Sequence, residues 1–323
     1  MAAAHNEGAS RRKAGSLDRR SFVGSLAAFG AGQVAFGATN CVEQTSAAPK
    51  AKNRFSAWDE VSLGGTGIRT SRLGFGTGVK SGNRSSGMVR RNGHDGAVKL
   101  VRAAYERGIR FFDTADSYGT HAVLREALSP FPRSSYVICT KYWFMGGGIP
   151  EADKSDVESS VDRFLREFKT DYIDILQLHC VFQPNWPTSL QIHMEGLERC
   201  KKAGKIRAHG CSFHGAKSLP LAADTKWLDV AHVQINPFGS KMGLKPDEAL
   251  EQVRRLHAAG KGVIGMKVLG EGAIAKEGRM DQSIAWVLKN NAADVLDIGF
   301  LDIAEIDDIA RRISCVQNAP SSH

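Results

Sequence analysis

Three short apolar runs carry side chains that handle protons and charge. Arg110–Ala115 contains Asp113, Tyr136–Lys141 closes on Lys141, and Tyr172–His179 closes on His179. Strand alternation puts Phe111, Asp113 and Ala115 on one face. It does the same for Val137, Cys139 and Lys141, and for Ile173, Ile175, Gln177 and His179. If the three faces meet, a carboxylate, an ammonium and an imidazole gather at one place. Tyr118, five residues beyond Asp113 at a loop-to-helix junction, leans over the same place. The chemistry this set suits is proton donation. A phenol with a pKa of about 10 is a weak acid at neutral pH. A nearby ammonium favours its phenolate, each tenfold gain in ionisation corresponding to about 1.4 kcal/mol of attraction. Asp113 would hold Lys141 in place and keep it charged, since an isolated buried ion is costly. His179 would orient a carbonyl oxygen or relay a proton. A positioned acid of this kind contributes roughly 10²–10⁴ in rate.

The elements that must position these groups repeat. Strands are expected at Leu73–Thr77, Arg110–Ala115, Tyr136–Lys141, Tyr172–His179, Ile206–Ser212, Ala231–Asn236, Val263–Val268 and Val295–Phe300. Helical spacing lies between them, clearest at Val157, Val161, Phe164, Leu165 and Phe168, with Ser155 and Glu158 reading as a capping box. Gly108, Gly204 and Gly260 each end a helix and open a strand, as a left-handed C-terminal cap does. Eight such units over residues 73–314 predict a (β/α)8 TIM barrel of the α/β class, preceded by a short β-hairpin with a Gly-rich turn at Val61–Ile68. A doubly wound sheet is the alternative, but no GxGxxG follows the first strand.

Composition fits one large globular domain: 323 residues, 42% hydrophobic and 24% charged, with 34 Gly and 10 Pro. Six Cys without a CxxC pair exclude a disulfide scaffold and a thiolate zinc or iron–sulfur site. The net charge of +9 divides into +5 on residues 1–54 and +4 on the rest, so no basic stripe marks a nucleic-acid partner. The leader carries Asp18-Arg19-Arg20-Ser21-Phe22-Val23, followed by an uncharged stretch to Val42 with four Gly. That pattern resembles a twin-arginine export signal over residues 1–42 and implies export to the periplasm by the twin-arginine machinery. The stretch is too Gly-rich for a stable membrane span. Residues 43–60 read as a linker, 61–316 as the barrel domain and 317–323 as a tail.

Phe112-Asp113-Thr114-Ala115-Asp116-Ser117-Tyr118-Gly119, Thr140-Lys141 and Leu176-Gln177-Leu178-His179 resemble the motifs of the aldo-keto reductase family. Leu63-Gly64-x-Thr66-Gly67, Leu73-Gly74-Phe75-Gly76-Thr77, Thr170–Asp174, Gly204–Arg207 and Val233-Gln234 match the same family in order. The resemblance implies a barrel oxidoreductase that passes hydride from reduced nicotinamide to a small aldehyde or ketone, or the reverse. It implies catalytic Asp113, Tyr118, Lys141 and His179, with Tyr118 as the general acid. It further implies that Ser212 and Gln234 hold the carboxamide, Gly76 and Thr77 lie beside the nicotinamide ribose, and Lys267, Leu269 and Gly270 cover the pyrophosphate. NADP is the family's usual cofactor, yet Gly299-Phe300-Leu301-Asp302-Ile303 offers no base for a 2′-phosphate, which leaves NAD open unless Arg311 or Arg312 substitutes. Two other departures are Ser212-Phe213-His214 in place of Ser-Asn, and Met266 where many members stack an aromatic ring.

Tyr142, Trp143, Phe144, Phe182 and Trp186 follow the third and fourth strands and are placed to line an apolar pocket. Two other readings use the same chain. One is a non-catalytic nicotinamide-binding redox sensor. The other is a metal-dependent hydrolase or isomerase using Asp113, His179, His209 and His214, which leaves Tyr118 and Lys141 without a role.

Overall fold

A computed structural model describes residues 54–317. The leader, with the expected twin-arginine signal, lies outside the described residues. Strands β1 (Glu60–Ser62) and β2 (Arg69–Ser71) pair antiparallel, with Glu60 opposite Ser71. Eight parallel strands follow: β3 (Leu73–Gly76), β4 (Phe111–Asp113), β5 (Val137–Tyr142), β6 (Ile173–Val181), β7 (Ile206–Phe213), β8 (Val230–Gln234), β9 (Gly262–Met266) and β10 (Val295–Gly299). They pair in sequence order and close, β10 against β3, into one barrel. The expected fold is therefore the observed one.

Helices α1 (Gly87–Glu106), α2 (His121–Leu128), α3 (Val157–Phe168), α4 (Trp186–Ser189), α5 (Gln191–Lys202), α6 (Pro246–Ala258), α7 (Ala273–Lys276), α8 (Met280–Lys289) and α9 (Ile303–Cys315) join the strands. One unit departs from the repeat. Only a 3₁₀ turn, Leu219–Leu221 with Pro220 inside it, separates β7 from β8. The capping box expected at Ser155 and Glu158 is also displaced. Asp156 caps α3 by accepting from Ser159 N, while Glu158 pairs with Arg199. The three glycine stops do adopt positive φ: 111° at Gly108, 74° at Gly204 and 71° at Gly260.

Two apolar layers hold the molecule together. Leu73, Phe75, Leu176 and Leu178 face the helices, while Phe111, Val137, Cys139, Ile175 and Ala208 fill the barrel. Ile173 breaks the alternation and packs with the outer layer. The hairpin closes the floor, because Leu63 and Ile68 join the inner cluster and Gly65 N donates to Gly260 O at 2.8 Å. Gly64 is required there: its φ is 53°, and a Cβ would lie 2.4 Å from Gly262 N. The fold also takes up the end of the stretch expected as a linker. Ala57 is buried, and Phe55 N donates to Val316 O at 3.3 Å. Among the described residues no helix is long and apolar enough to cross a membrane.

Candidate active site

All the inward faces end at the carboxyl edge of the barrel, where β/α-barrel sites are built. The Lys141 ammonium donates to Asp113 Oδ1 and, at 2.9 Å, to Thr114 O. Both side chains are at most 3% exposed. Tyr118 stands above them on a 3₁₀ turn, Asp116–Tyr118, its ring centroid 5.2 Å from Lys141 Nζ. Asp116 pins that turn through Arg84 at 2.7 Å and Arg163 at 2.6 Å. His179 completes the group. Its Nε2 is 3.4 Å from the Tyr118 hydroxyl, and its Nδ1 is 3.3 Å from Ser117 Oγ. A register shift between Leu178 and Val181, with Cys180 at φ 59°, re-aims β6 at this residue. The structure thus brings Asp113, Tyr118, Lys141 and His179 together.

Burial sets the charges. It works against the Lys141 ammonium, but Asp113 and then Tyr118 outweigh it and raise the Lys141 pKa, so the amine stays charged. Burial pushes the Tyr118 hydroxyl above its ordinary range, and Lys141 pulls the other way without winning. The downward shift expected for the phenol is therefore not what these residues produce alone. Burial first, and then Lys141, depress His179 well below the ordinary histidine range, so its imidazole is neutral.

A polar layer lies beneath this group, beyond the three strands whose polar ends stand out in the sequence. Phe111, Ile175, Val230 and Val295 form one apolar layer from β4, β6, β8 and β10. Two residues further along the same strands come Asp113, Gln177, His232 and Asp297. His232 Nε2 is 3.3 Å from Asp297 Oδ2, and its Nδ1 is 3.3 Å from Gln177 Oε1 and 3.9 Å from Asp113 Oδ1. A polar residue at the inward parity of a mostly apolar run is the sequence signal, His232 with Gln234 on β8 and Asp297 alone on β10.

The residues expected around a cofactor are divided in their commitments. Ser212 Oγ accepts from Cys180 N at 2.9 Å, leaving its own hydrogen to donate. Gln234 Oε1 accepts from Gly243 N at 2.9 Å, leaving its amide NH₂, which reaches only His214 Nδ1 at 3.4 Å. Two donors at the ends of neighbouring β7 and β8 suit the carbonyl oxygen of a carboxamide, so this part of the site fits a nicotinamide. Thr77 is spent structurally: its hydroxyl bonds Asp113 O at 3.0 Å and Thr120 Oγ1 at 2.7 Å. Gly76 packs against Asp297, and a Cβ there would sit 2.8 Å from Oδ1. Lys267 pairs with Glu271, while Leu269 and Gly270 follow in the same loop, Gly270 at φ 57°. An anion over that loop must take Lys267 from Glu271.

Other expectations fail on packing. Trp186 is fully buried against Phe213 and donates to Ser218 O at 3.0 Å, and the buried Tyr142 donates to Ser155 O at 2.8 Å. Neither lines a pocket. Trp143 does reach His179, at 5.3 Å between rings, and Phe182 is 50% exposed beside His214. The metal reading loses its ligand set. His209 lies in another cluster, bonded to Glu198 at 2.9 Å and stacked on Trp227, while Asp113 is held by Lys141. Arg311 pairs with Asp308, and Arg312 with Asp308 and Asp281.

A closed parallel barrel with an ion pair, a tyrosine and a neutral imidazole at its carboxyl mouth defines the class as a β/α-barrel oxidoreductase. The sequence model of the Aldo/keto reductase family matches residues 72–312, and the chain belongs to that family. Its members are nicotinamide-dependent carbonyl oxidoreductases. An L-galactose dehydrogenase of Arabidopsis thaliana is 30% identical over 225 residues, 67% of each chain. Aldo-keto reductase YhdN of Bacillus subtilis is 31% identical over 191 residues, 56% of this chain and 55% of that one. This chain therefore spans about two thirds of the first relative and about half of the second. The holo form of aldo-keto reductase AKR11C1 from Bacillus halodurans superposes with a TM-score of 0.66 at 18% identity, covering 82% of this chain and 93% of that one. An aldo/keto reductase from Klebsiella pneumoniae in complex with NADP and acetate gives 0.58 at 19% identity, covering 80% and 90%. These likenesses show the fold.

Proposed function

We propose that this protein reduces a small aldehyde or ketone to the alcohol, or runs the reverse, with Tyr118 as the general acid. The observation that carries the reading is the Tyr118 hydroxyl standing beside neutral His179 and above the buried Lys141–Asp113 pair. Reduced nicotinamide, when bound, supplies the hydride. Ser212 and Gln234 would hold its carboxamide. A neutral His179 has one N–H; with Ser117 donating to Nδ1, that hydrogen sits on Nε2 and meets the carbonyl oxygen. Tyr118 keeps its proton until the oxygen gains negative charge. Lys141 then steadies the phenolate, and Asp113 keeps Lys141 charged and in place. Trp143 and Phe182 exclude water on the substrate side.

The same reading favours NADH over NADPH. Asp302 caps α9 by accepting from Glu305 N, and Glu305 accepts from Leu301 N at 2.6 Å. Two carboxylates thus occupy the helix N-terminus where a 2′-phosphate would need donors. For the leader, the twin-arginine pattern supports export of the folded enzyme. Replacing Arg19 and Arg20 with Lys is expected to retain a reporter fusion in the cytoplasm; unaltered export overturns that part.

The central test is Tyr118→Phe. Turnover on a carbonyl panel is expected to fall by roughly 10² or more, while cofactor quenching of tryptophan fluorescence persists. Undiminished turnover removes Tyr118 as the acid.

A further inference from the structure

We propose that His232 and Asp297 are positioning residues of the reaction: a second buried acid–base pair, sharing one proton, that fixes Asp113 and sets the charge felt by Lys141 and Tyr118. The inference rests on the reductase reading above.

The geometry comes from the barrel layers. Asp113, Gln177, His232 and Asp297 occupy one level on alternate strands, so each side chain points at the others across the axis. His232 is 1% exposed and Asp297 11%. His232 Nδ1 faces two oxygens, Gln177 Oε1 at 3.3 Å and Asp113 Oδ1 at 3.9 Å, so Nδ1 carries a hydrogen. Its Nε2 lies 3.3 Å from Asp297 Oδ2 without hydrogen-bond alignment, and a lone pair that close to a carboxylate is relieved by a proton on one of the two. Whether that proton sits on the acid or on the ring, the pair is neutral while it stays. When it leaves, a net negative charge appears one layer beneath the Lys141–Asp113 pair. Room has been made for the second carboxylate, since Gly76 has no Cβ and any larger residue would strike Asp297 Oδ1. Asp297 Oδ1, His232 Nε2 and Gln177 Nε2 have no hydrogen-bond partner among the described residues, so the layer is not a saturated structural network.

The surroundings fix the direction of the effect. The charges of Lys141 and Lys267 reach Asp297, those of Asp113, Lys141 and Lys267 reach His232, and the buried Cys139 thiol lies within 4.8 Å of both His232 and Asp113. Tyr118 and Asp113, both raised first by burial, feel the charge of Asp297 as a further upward push. Burial lifts Asp297 to about 6, against the pull of the two lysines, and pushes His232 down to about 3. The pair therefore gives up its proton near neutral pH. Loss of that proton raises the Tyr118 hydroxyl further and makes it a weaker acid.

The test is Asp297→Asn in the full-length protein, which keeps shape and can still donate to His232 Nε2. Carbonyl reduction by the wild type is expected to show an inflection in kcat within about one pH unit of 6. That inflection is expected to disappear in Asp297→Asn, with KM for the cofactor unchanged within about threefold. The ¹⁵N signals of the His232 ring, assigned by comparison with His232→Asn, are expected to move through the same pH range in the wild type and not in Asp297→Asn. An inflection identical in both proteins overturns the proposal, and so does a His232 ring insensitive to Asp297. If neither NADH nor NADPH supports reduction by the wild type, the reductase reading fails, while the ring titration still decides whether the proton is shared.

Discussion

Lys141 sits under the ring of Tyr118, its Nζ 5.2 Å from the ring centroid, and spends its short hydrogen bonds on Asp113 and Thr114 O. The ammonium is thus placed to act on the phenol through space. Burial raises the Tyr118 hydroxyl more than Lys141 lowers it, which keeps the proton in place at rest. That suits an acid needed only when a carbonyl oxygen is gaining electrons, because Lys141 is already fixed where the phenolate will form and need not reorganise.

Removing one member of the buried pair should cost both rate and stability. Lys141→Met leaves Asp113 as an unpaired buried carboxylate, at about 3–5 kcal/mol. The double variant Lys141→Met/Asp113→Asn should recover most of that stability and none of the activity. Thermal melts and turnover measured on the three proteins separate the two effects. Equal melting temperatures in the single variant and the wild type would mean that the pair is open to water.

Gly78→Ala probes the placement of the acid without touching it. A Cβ at residue 78 would sit 2.6 Å from Tyr118 Cε2 and 3.0 Å from its hydroxyl. The ring must swing away or the loop must shift. A misplacement of about 1 Å can cost 10² in rate, so kcat should fall about that far while the melting temperature stays within a few degrees. Retained kcat would place the reacting oxygen elsewhere.

Much of the fold and site is legible in the chain, for definable reasons. Period-two apolar runs and the glycines at 108, 204 and 260 mark the strand and helix limits, because alternation and positive φ are local properties. Asp113, Lys141 and His179 are visible for the same cause: each is a polar group at the inward parity of an apolar run. His232 and Asp297 obey that rule too, on strands β8 and β10, but neither ends its strand: His232 precedes the Val233-Gln234 match and Asp297 lies within β10. The bulge that aims His179 and the burial of Trp186 depend on neighbouring elements and leave no local trace. The Asp156 cap shows the usual limit, since neighbouring polar residues compete for one position.

Stability at low pH should depend on one carboxylate beside the site. Glu167 accepts from His121 at 2.5 Å and from Arg163 at 2.8 Å. These partners outweigh burial and hold its carboxyl down at about 2, from an ordinary 4.5. A depressed pKa in the folded state contributes stability above 4.5 that is lost as pH falls through 2. The contribution is about 1–2 kcal/mol after screening of a side chain that solvent partly reaches. Melting temperature plotted against pH should therefore fall less steeply over this range in Glu167→Gln than in the wild type. Parallel curves would assign the acid lability to other carboxylates.

Cofactor choice gives the sharpest numerical expectation. Asp302 and Glu305 meet the N-terminus of α9 from inside the chain, and Arg91 lies 3.6 Å from Asp302. A 2′-phosphate brought there meets two carboxylates, and the later arginines are already held by Asp308. NADH should therefore bind more tightly than NADPH in a fluorescence titration. Asp302→Ser keeps an N-cap while removing a charge, and Glu305→Arg adds a base one turn into the helix. The double variant should tighten NADPH by roughly tenfold, about 1.4 kcal/mol, with little change for NADH. A wild type that already prefers NADPH would place the 2′-phosphate away from α9, and the double variant would then leave both affinities where they were.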